Sequence, residues 1–137
     1  MGDWLTNDGR CFGCGRDNDS GFRLRYRPTG EGSVEVEYAV PDHFRGAEGV
    51  VHGGIQATLL DEAMGLAVHT RLAKEEHKVV TAELHVRYRK VTPTKVSLTI
   101  RASLTRVDGK DLFLTAVITD ANGDVLTEAD GRWRRLG

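Results

Sequence analysis

Alternation of apolar and polar residues begins after residue 20. Phe22, Leu24 and Tyr26 alternate with arginines, and a second alternating run extends from Val34 to Val40. A period of two is typical of a strand with one buried face. Because the segment 28–32 between the runs is rich in turn-forming residues, the two strands are predicted to form a hairpin.

A different pattern covers residues 54–73, where apolar residues occupy nearly every side of a helical projection. Three polar residues, Thr58, Glu62 and His69, form one narrow strip. A helix that is apolar nearly all round is typical of a buried position, because a surface helix carries a single apolar stripe. The segment therefore predicts a central helix that other elements must surround.

Four further alternating runs follow the helix, at 80–88, 96–104, 112–118 and 125–133. Short turn sequences separate them, so we expect an antiparallel meander in which each strand pairs with the next. Together the elements predict an α+β architecture in which a six-stranded antiparallel sheet wraps around one long central helix, the hotdog fold. Residues 1–20 are predicted to be an irregular N-terminal arm and residues 21–137 a single domain.

Composition and charge exclude several classes of protein. The chain has 137 residues and a net charge of −1, which argues against nucleic-acid binding. No apolar stretch is long enough for a membrane span and the N-terminus lacks a signal-peptide core, so a cytoplasmic protein is expected. Charge is nevertheless uneven, since residues 85–110 hold seven Lys or Arg and one acid. That stretch is either a solvated face of the sheet or a landing site for the phosphates of a molecule such as coenzyme A.

The residues that suggest chemistry surround the start of the predicted helix. Two adjacent glycines, Gly53 and Gly54, follow His52, and Asp61 lies eight residues beyond Gly53. Glycines let a ligand approach the backbone closely, and the first N–H groups of a helix have no intrahelical acceptor. A backbone donor for a carbonyl oxygen, with a carboxylate as base or nucleophile, is the minimum needed to attack an acyl group.

Two neighbouring carboxylates compete for the reactive role. On the helical projection Asp61 falls among apolar positions, where a buried carboxylate is expected to have either a hydrogen-bonding or charged partner or a functional role. Glu62 falls on the polar strip and is predicted to be solvated or structural. His52 is predicted to hold the glycine loop by hydrogen bonds, which leaves the Gly53 N–H as the donor.

The two cysteines of the chain, Cys11 and Cys14, lie three residues apart. This spacing occurs in half of a zinc site, in redox pairs and in tight turns. Because no second pair is present to complete a four-ligand site, a structural turn is favoured. No metal or redox cofactor is expected.

Three segments together resemble a known family. Residues 51–54, Val-His-Gly-Gly, followed by Asp61, resemble the signature of PaaI-like acyl-CoA thioesterases of the hotdog superfamily. The segment 11–22 resembles the N-terminal arm of one bacterial branch, and 81–88 resembles the strand that follows the helix in that branch. One position departs from the pattern, since Gly46 stands where relatives with a well-described site have Asn.

The resemblance implies hydrolysis of an acyl-CoA thioester at the subunit interface of a homodimer or homotetramer. It implies that the Gly53 N–H of one subunit binds the thioester carbonyl and that Asp61 of the other acts as general base or nucleophile, with His52 beside them. The substrate is expected to contact Gly54 and Thr81, where Thr81 helps to hold the attacking water, and a cluster of three cations, Arg87, Arg89 and Lys90, is expected to bind the phosphates. The alternatives are a hotdog dehydratase or hydratase and a non-catalytic acyl-CoA-binding module.

Overall fold

The nearly apolar segment forms one long helix that contacts all six strands of a single antiparallel sheet. The computed structural model describes residues 9–72 and 78–136. In chain order the elements are β1 (Arg27–Gly30), β2 (Ser33–Ala39), a 3₁₀ turn (Asp42–Phe44), α1 (Gly53–Arg71), β3 (Val79–Tyr88), β4 (Ser97–Asp108), β5 (Asp111–Thr119) and β6 (Val125–Arg135). The predicted hotdog architecture, a six-stranded sheet around a central helix, is confirmed.

Helix α1 is buried because its apolar side chains face the sheet along most of its length. Leu59, Leu60, Met64 and Leu66 are all completely inaccessible to solvent. The helix was predicted over 54–73 and extends instead from Gly53 to Arg71, while residue 73 lies outside the described residues. Among the helices of the described residues, none has both the length and the apolar character needed to cross a bilayer.

The strand order is β1-β2-β4-β5-β6-β3, which corrects the predicted meander. Strands β4, β5 and β6 do follow one another, but β3 pairs with β6 and not with β4. The reason lies in the connection 89–96, which is a crossover rather than a tight turn. Its backbone bonds to the loop before α1, where Val51 N–H donates to Thr92 C=O and Thr94 N–H donates to Gly49 C=O. The chain thereby passes the start of the helix before it enters β4.

The predicted first strand is also misplaced. Phe22, Leu24 and Tyr26 are buried in alternation as expected, yet residues 21–26 belong to no strand and β1 is confined to Arg27–Gly30. The backbone of the earlier segment bonds to the arm instead, since Leu24 N–H donates to Gly13 C=O over 3.0 Å. In this segment the alternation of apolar residues reflects burial of one side of the chain, but the backbone does not pair with another strand.

Strand β3 contains a bulge that changes which residues face the helix. Residues of opposite parity point to opposite faces of a regular strand, so Thr81 and Tyr88 were predicted on different faces. The register against β6 shifts between Thr81 and Glu83, so Ala82 is the extra residue. As a result both Thr81 and Tyr88 reach α1, while Glu83 lies on the outer face of the sheet, where it pairs with Arg132. A bulge of this kind re-aims a side chain at a functional position.

Candidate active site

The loop before α1 is shaped by His52, the N-cap of the helix. Its Nδ1 accepts a 2.9 Å hydrogen bond from the Gly54 N–H, so the ring carries its proton on Nε2. This contact satisfies one of the N–H groups that a helix start leaves open. Within residues 9–72 and 78–136 no acceptor contacts the Gly53 N–H, which lies at the positive end of the helix.

Tyr88 holds the same glycine from the opposite side. Its phenol O–H donates a 2.7 Å hydrogen bond to the Gly53 carbonyl oxygen. His52 and Tyr88 therefore fix the same peptide unit, which joins Gly53 to Gly54, one through its N–H and the other through its carbonyl oxygen. Such fixing is what a preorganised backbone donor requires.

Beneath this loop lies a buried polar network that sequence analysis did not identify. The side-chain amide of Gln56 donates to the Val51 carbonyl oxygen over 2.9 Å, and its Oε1 accepts from the hydroxyls of Thr92 and Thr127. Gln56 is only 4% exposed, so these bonds satisfy an otherwise costly buried amide. The available signal was a lone amide in an apolar run one turn after the glycines.

Asp61 meets Thr81 between α1 and β3. The Thr81 hydroxyl donates a 2.8 Å hydrogen bond to Asp61 Oδ1. Burial raises the pKa of the half-buried Asp61 carboxyl above its usual value, and the Thr81 hydrogen bond opposes that rise. Two residues that are twenty positions apart in the chain are thus in direct contact.

Glu62 was predicted to be solvated or structural, and the structure excludes the solvated position. Its side chain is buried beneath the N-terminal arm, and Cys11 Sγ lies 3.6 Å from both carboxylate oxygens. Burial raises the pKa of Glu62, while hydrogen bonds from the thiols of Cys14 and Cys11 lower it in part. A helical projection gives the direction of a side chain but not what covers it.

A groove of about 410 Å³ opens between the start of α1 and the end of β3. Gly53, Tyr88, Arg89 and Lys90 are among the residues that line it, and its volume is typical of a small-molecule site. Asp61 and Thr81 do not line it. A larger groove of about 770 Å³ crosses the outer face of the sheet near Arg132, but none of the predicted site residues lines it.

The three predicted phosphate-binding cations each have an acidic partner. Arg87 lies 3.1 Å from Asp130, Arg89 lies 2.9 Å from Glu128 and Lys90 lies 3.5 Å from Asp124. All of these side chains are substantially exposed, so the pairs are weak and open to competition from another anion. The positive charge of this face is therefore smaller than the sequence stretch alone suggested.

Comparison with known proteins agrees with this fold and loop. The model of the thioesterase superfamily matches residues 48–127, which include the glycine loop, α1 and most of the sheet. Rat (Rattus norvegicus) acyl-coenzyme A thioesterase THEM4 is 31% identical over 95 residues, which are 69% of this chain and 39% of the relative. The chain thus spans about two fifths of the length of that curated relative.

Solved structures give the same result. The thioesterase superfamily protein RHA08564 superposes with a TM-score of 0.80 at 28% identity, over 91% of this chain and 60% of that one. Protein smu.793 of Streptococcus mutans UA159, solved bound to acetyl CoA, superposes with a TM-score of 0.74 at 20% identity and so shares the fold. It is matched over 83% of this chain and 89% of its own. Since the family model covers more than half of the sequence, the chain belongs to the thioesterase superfamily.

Proposed function

We propose that the protein is an acyl-CoA thioesterase that hydrolyses a thioester to a free acid and coenzyme A. The observation that carries the proposal is the environment of Asp61, a half-buried carboxylate whose Oδ1 accepts a hydrogen bond from Thr81. Burial raises the pKa of Asp61 toward the range useful for a base at neutral pH. The match to the superfamily model and to THEM4 supports the same activity.

In the proposed reaction, Asp61 takes a proton from a water whose oxygen attacks the thioester carbon. The carbonyl oxygen becomes an oxyanion, which the Gly53 N–H stabilises at the helix start. When the tetrahedral intermediate collapses, the carbon–sulfur bond breaks and the proton on Asp61 goes to the departing thiolate. Direct attack by Asp61 through an anhydride, which water then opens, gives the same products.

The two groups are proposed to come from different subunits. Gly53 and Asp61 are eight residues apart on one helix, which separates them by about 12 Å along the axis. A base and an oxyanion donor that act on one carbonyl must each lie within hydrogen-bond range of the reacting atoms. A second copy of the chain supplies the missing partner for each.

Strand β3 offers a surface for that second copy. It is an edge strand of ten residues that pairs with β6 on one side only within the described sheet. Val80, Leu84 and Tyr88 on this strand are 46%, 37% and 52% exposed, which is unusual for large apolar side chains along an edge. Long, unprotected edges of this type pair readily with another chain. We propose a homodimer in which β3 lies at the interface, and the mass in solution tests it.

Coenzyme A is proposed to approach along the groove beside Gly53. Arg89 and Lys90 line this groove, and their weak acidic partners can be exchanged for phosphate. The structurally similar smu.793 protein was solved bound to acetyl CoA, which supports a ligand of this class.

The test is the substitution Asp61→Asn, assayed with a panel of acyl-CoA esters and a thiol reagent that detects free coenzyme A. Loss of the base is expected to reduce kcat by about 10²–10⁴-fold, while affinity for the acyl-CoA is retained. Asp108→Asn at the end of β4 is the matched control, since Asp108 is an exposed carboxylate whose partner is Arg106 and which has no part in the proposed site. Full activity is expected for this control.

Each alternative class gives a different result. A dehydratase or hydratase changes the acyl chain without releasing thiol, and a binding module retains acyl-CoA but shows no turnover. Either outcome contradicts the proposal, as does wild-type turnover by Asp61→Asn. Single turnover in isotopically labelled water then tests for an anhydride that water opens at the Asp61 carboxyl carbon, because only that route carries label into the Asp61 carboxylate.

A further inference from the structure

Two thiols and one carboxylate meet where the N-terminal arm crosses α1. The ligand atoms of Cys11, Cys14 and Glu62 all lie within 4.8 Å of one another. Cys14 is completely buried and Glu62 is 9% exposed. None of the three has a role in the proposed hydrolysis, so the inference drawn from them is independent of that proposal.

The arm is folded so that it closes around the Glu62 carboxylate. The Gly15 N–H donates a 2.8 Å hydrogen bond to the Cys11 carbonyl oxygen and so forms a tight turn. A Cβ atom on Gly13 would lie 2.5 Å from Glu62 Oε1, so the Glu62 side chain would have to move away from the arm. Glycine at position 13 therefore permits the close approach that brings both sulfurs to one carboxylate.

The distance between Cys11 and Glu62 matches that of two ligands in a tetrahedral zinc site. Zinc binds sulfur at about 2.3 Å and carboxylate oxygen at about 2.0–2.2 Å, which sets neighbouring sulfur and oxygen ligands about 3.5 Å apart. Cys11 Sγ lies 3.6 Å from each oxygen of Glu62. Soft thiolate ligands select zinc over magnesium or calcium.

We propose that Cys11, Cys14 and Glu62 bind one Zn²⁺ ion, with water as the fourth ligand, and that the ion fastens the arm to α1. On binding, the thiols lose their protons to solvent and the metal–sulfur bonds form without a change in oxidation state. A disulfide between the two cysteines uses both sulfurs but gives Glu62 no part, whereas a cation uses all three groups. The site is structural, because it lies beneath the arm and outside the substrate groove.

The test measures metal in the full chain. After incubation with ZnCl₂ and dialysis against metal-free buffer, elemental analysis is expected to find about one zinc ion per chain. The double substitution Cys11→Ser, Cys14→Ser and the single substitution Glu62→Gln are each expected to weaken zinc binding at least about tenfold. Glu48→Gln, in the exposed loop before α1, is the matched control and is expected to bind like the wild type.

Two further readouts use the unmodified chain and so do not depend on the folding of a variant. Titration with CoCl₂ is expected to produce thiolate-to-cobalt charge-transfer absorption, and chelation is expected to lower the Tm. Wild-type protein that keeps less than about a tenth of an equivalent of zinc, or that gives no charge-transfer absorption, overturns the proposal. So does a Cys11–Cys14 disulfide, found by mass spectrometry of alkylated protein, in place of the metal.

Discussion

Thr81 donates a hydrogen bond of 2.8 Å to Asp61 Oδ1 and so links strand β3 to the central helix. Burial and this hydrogen bond act on the pKa of Asp61 in opposite directions, burial being the larger influence. The hydroxyl therefore limits how far burial raises the pKa of Asp61. It also fixes one oxygen of Asp61, and in the proposed reaction the other oxygen takes the proton of the attacking water.

Thr81→Val is expected to shift the pH dependence of turnover. The substitution removes the donor that lowers the pKa of Asp61, so this pKa rises further. A general base works only when deprotonated, so the acid limb of the kcat/KM profile is expected to move to higher pH. The measurement is a pH–rate profile, with Thr81→Ser as the matched variant that keeps the hydroxyl. If the acid limb is unchanged in Thr81→Val, the Thr81 hydrogen bond does not influence the pKa of Asp61.

His52→Ala is expected to lower both the thermal stability and kcat. His52→Asn is expected to retain much of both. The His52 ring accepts from the Gly54 N–H, and loss of an N-cap acceptor costs about 1 kcal/mol. Displacement of the Gly53 donor is expected to reduce kcat by up to about 100-fold. Asparagine is a strong N-cap residue but a poor base at neutral pH. Thermal melts and kinetics of the two variants therefore separate a cap from a proton acceptor, and equal inactivity contradicts the cap role.

Tyr88→Phe is expected to lower kcat by about fivefold with little change in KM. The lost hydrogen bond to the Gly53 carbonyl oxygen is worth about 1 kcal/mol, and its loss loosens the donor on the same residue. Tyr38→Phe is the matched control, since Tyr38 packs on Phe22 at the opposite end of the sheet order. A kcat that is the same in both variants contradicts a positioning role for Tyr88.

Glu128→Gln is expected to lower the KM for acyl-CoA by no more than about fivefold. Glu128 pairs with Arg89 over 2.9 Å, so its neutralisation releases Arg89 for phosphate. The effect is expected to shrink as ionic strength rises, because exposed charges are screened by salt. Glu83→Gln is the control, since its partner Arg132 lines the outer groove. An identical change in both variants points to the overall field of the protein and contradicts a phosphate site at Arg89.

The positions of the helix and strands were predicted from the sequence more accurately than the order in which the strands pair. Periodicity reports which side of a segment is buried, so α1 and the strands after it were found at nearly their actual bounds. Strand order depends on where a connection travels, and residues 89–96 carry no local signal that they cross the helix start. The same limit explains residues 22–26, whose alternation is real but whose backbone bonds to the arm.

The same distinction applies to the candidate site: residues within one local motif were predicted, whereas their partners from distant parts of the chain were not. Gly53, His52 and Asp61 were proposed from a motif in which spacing along one helix carries the information. The contacts that surround them join positions far apart in the chain, such as Tyr88 with Gly53 and Cys11 with Glu62. No helical projection contains those partners, and for this reason the prediction for Glu62 left open whether it is solvated or structural, while the structure buries it.

The bulge at Ala82 makes residue count, rather than residue type, decisive along β3. Without the bulge, ordinary pleating over the same residues would point Thr81 and Tyr88 to opposite faces of the sheet, because seven positions separate them. The carboxylate on α1 would then lose its hydroxyl neighbour although every functional group remains in the chain. Alignments of this segment that slip by one position consequently exchange an active-site contact for a solvent-facing one.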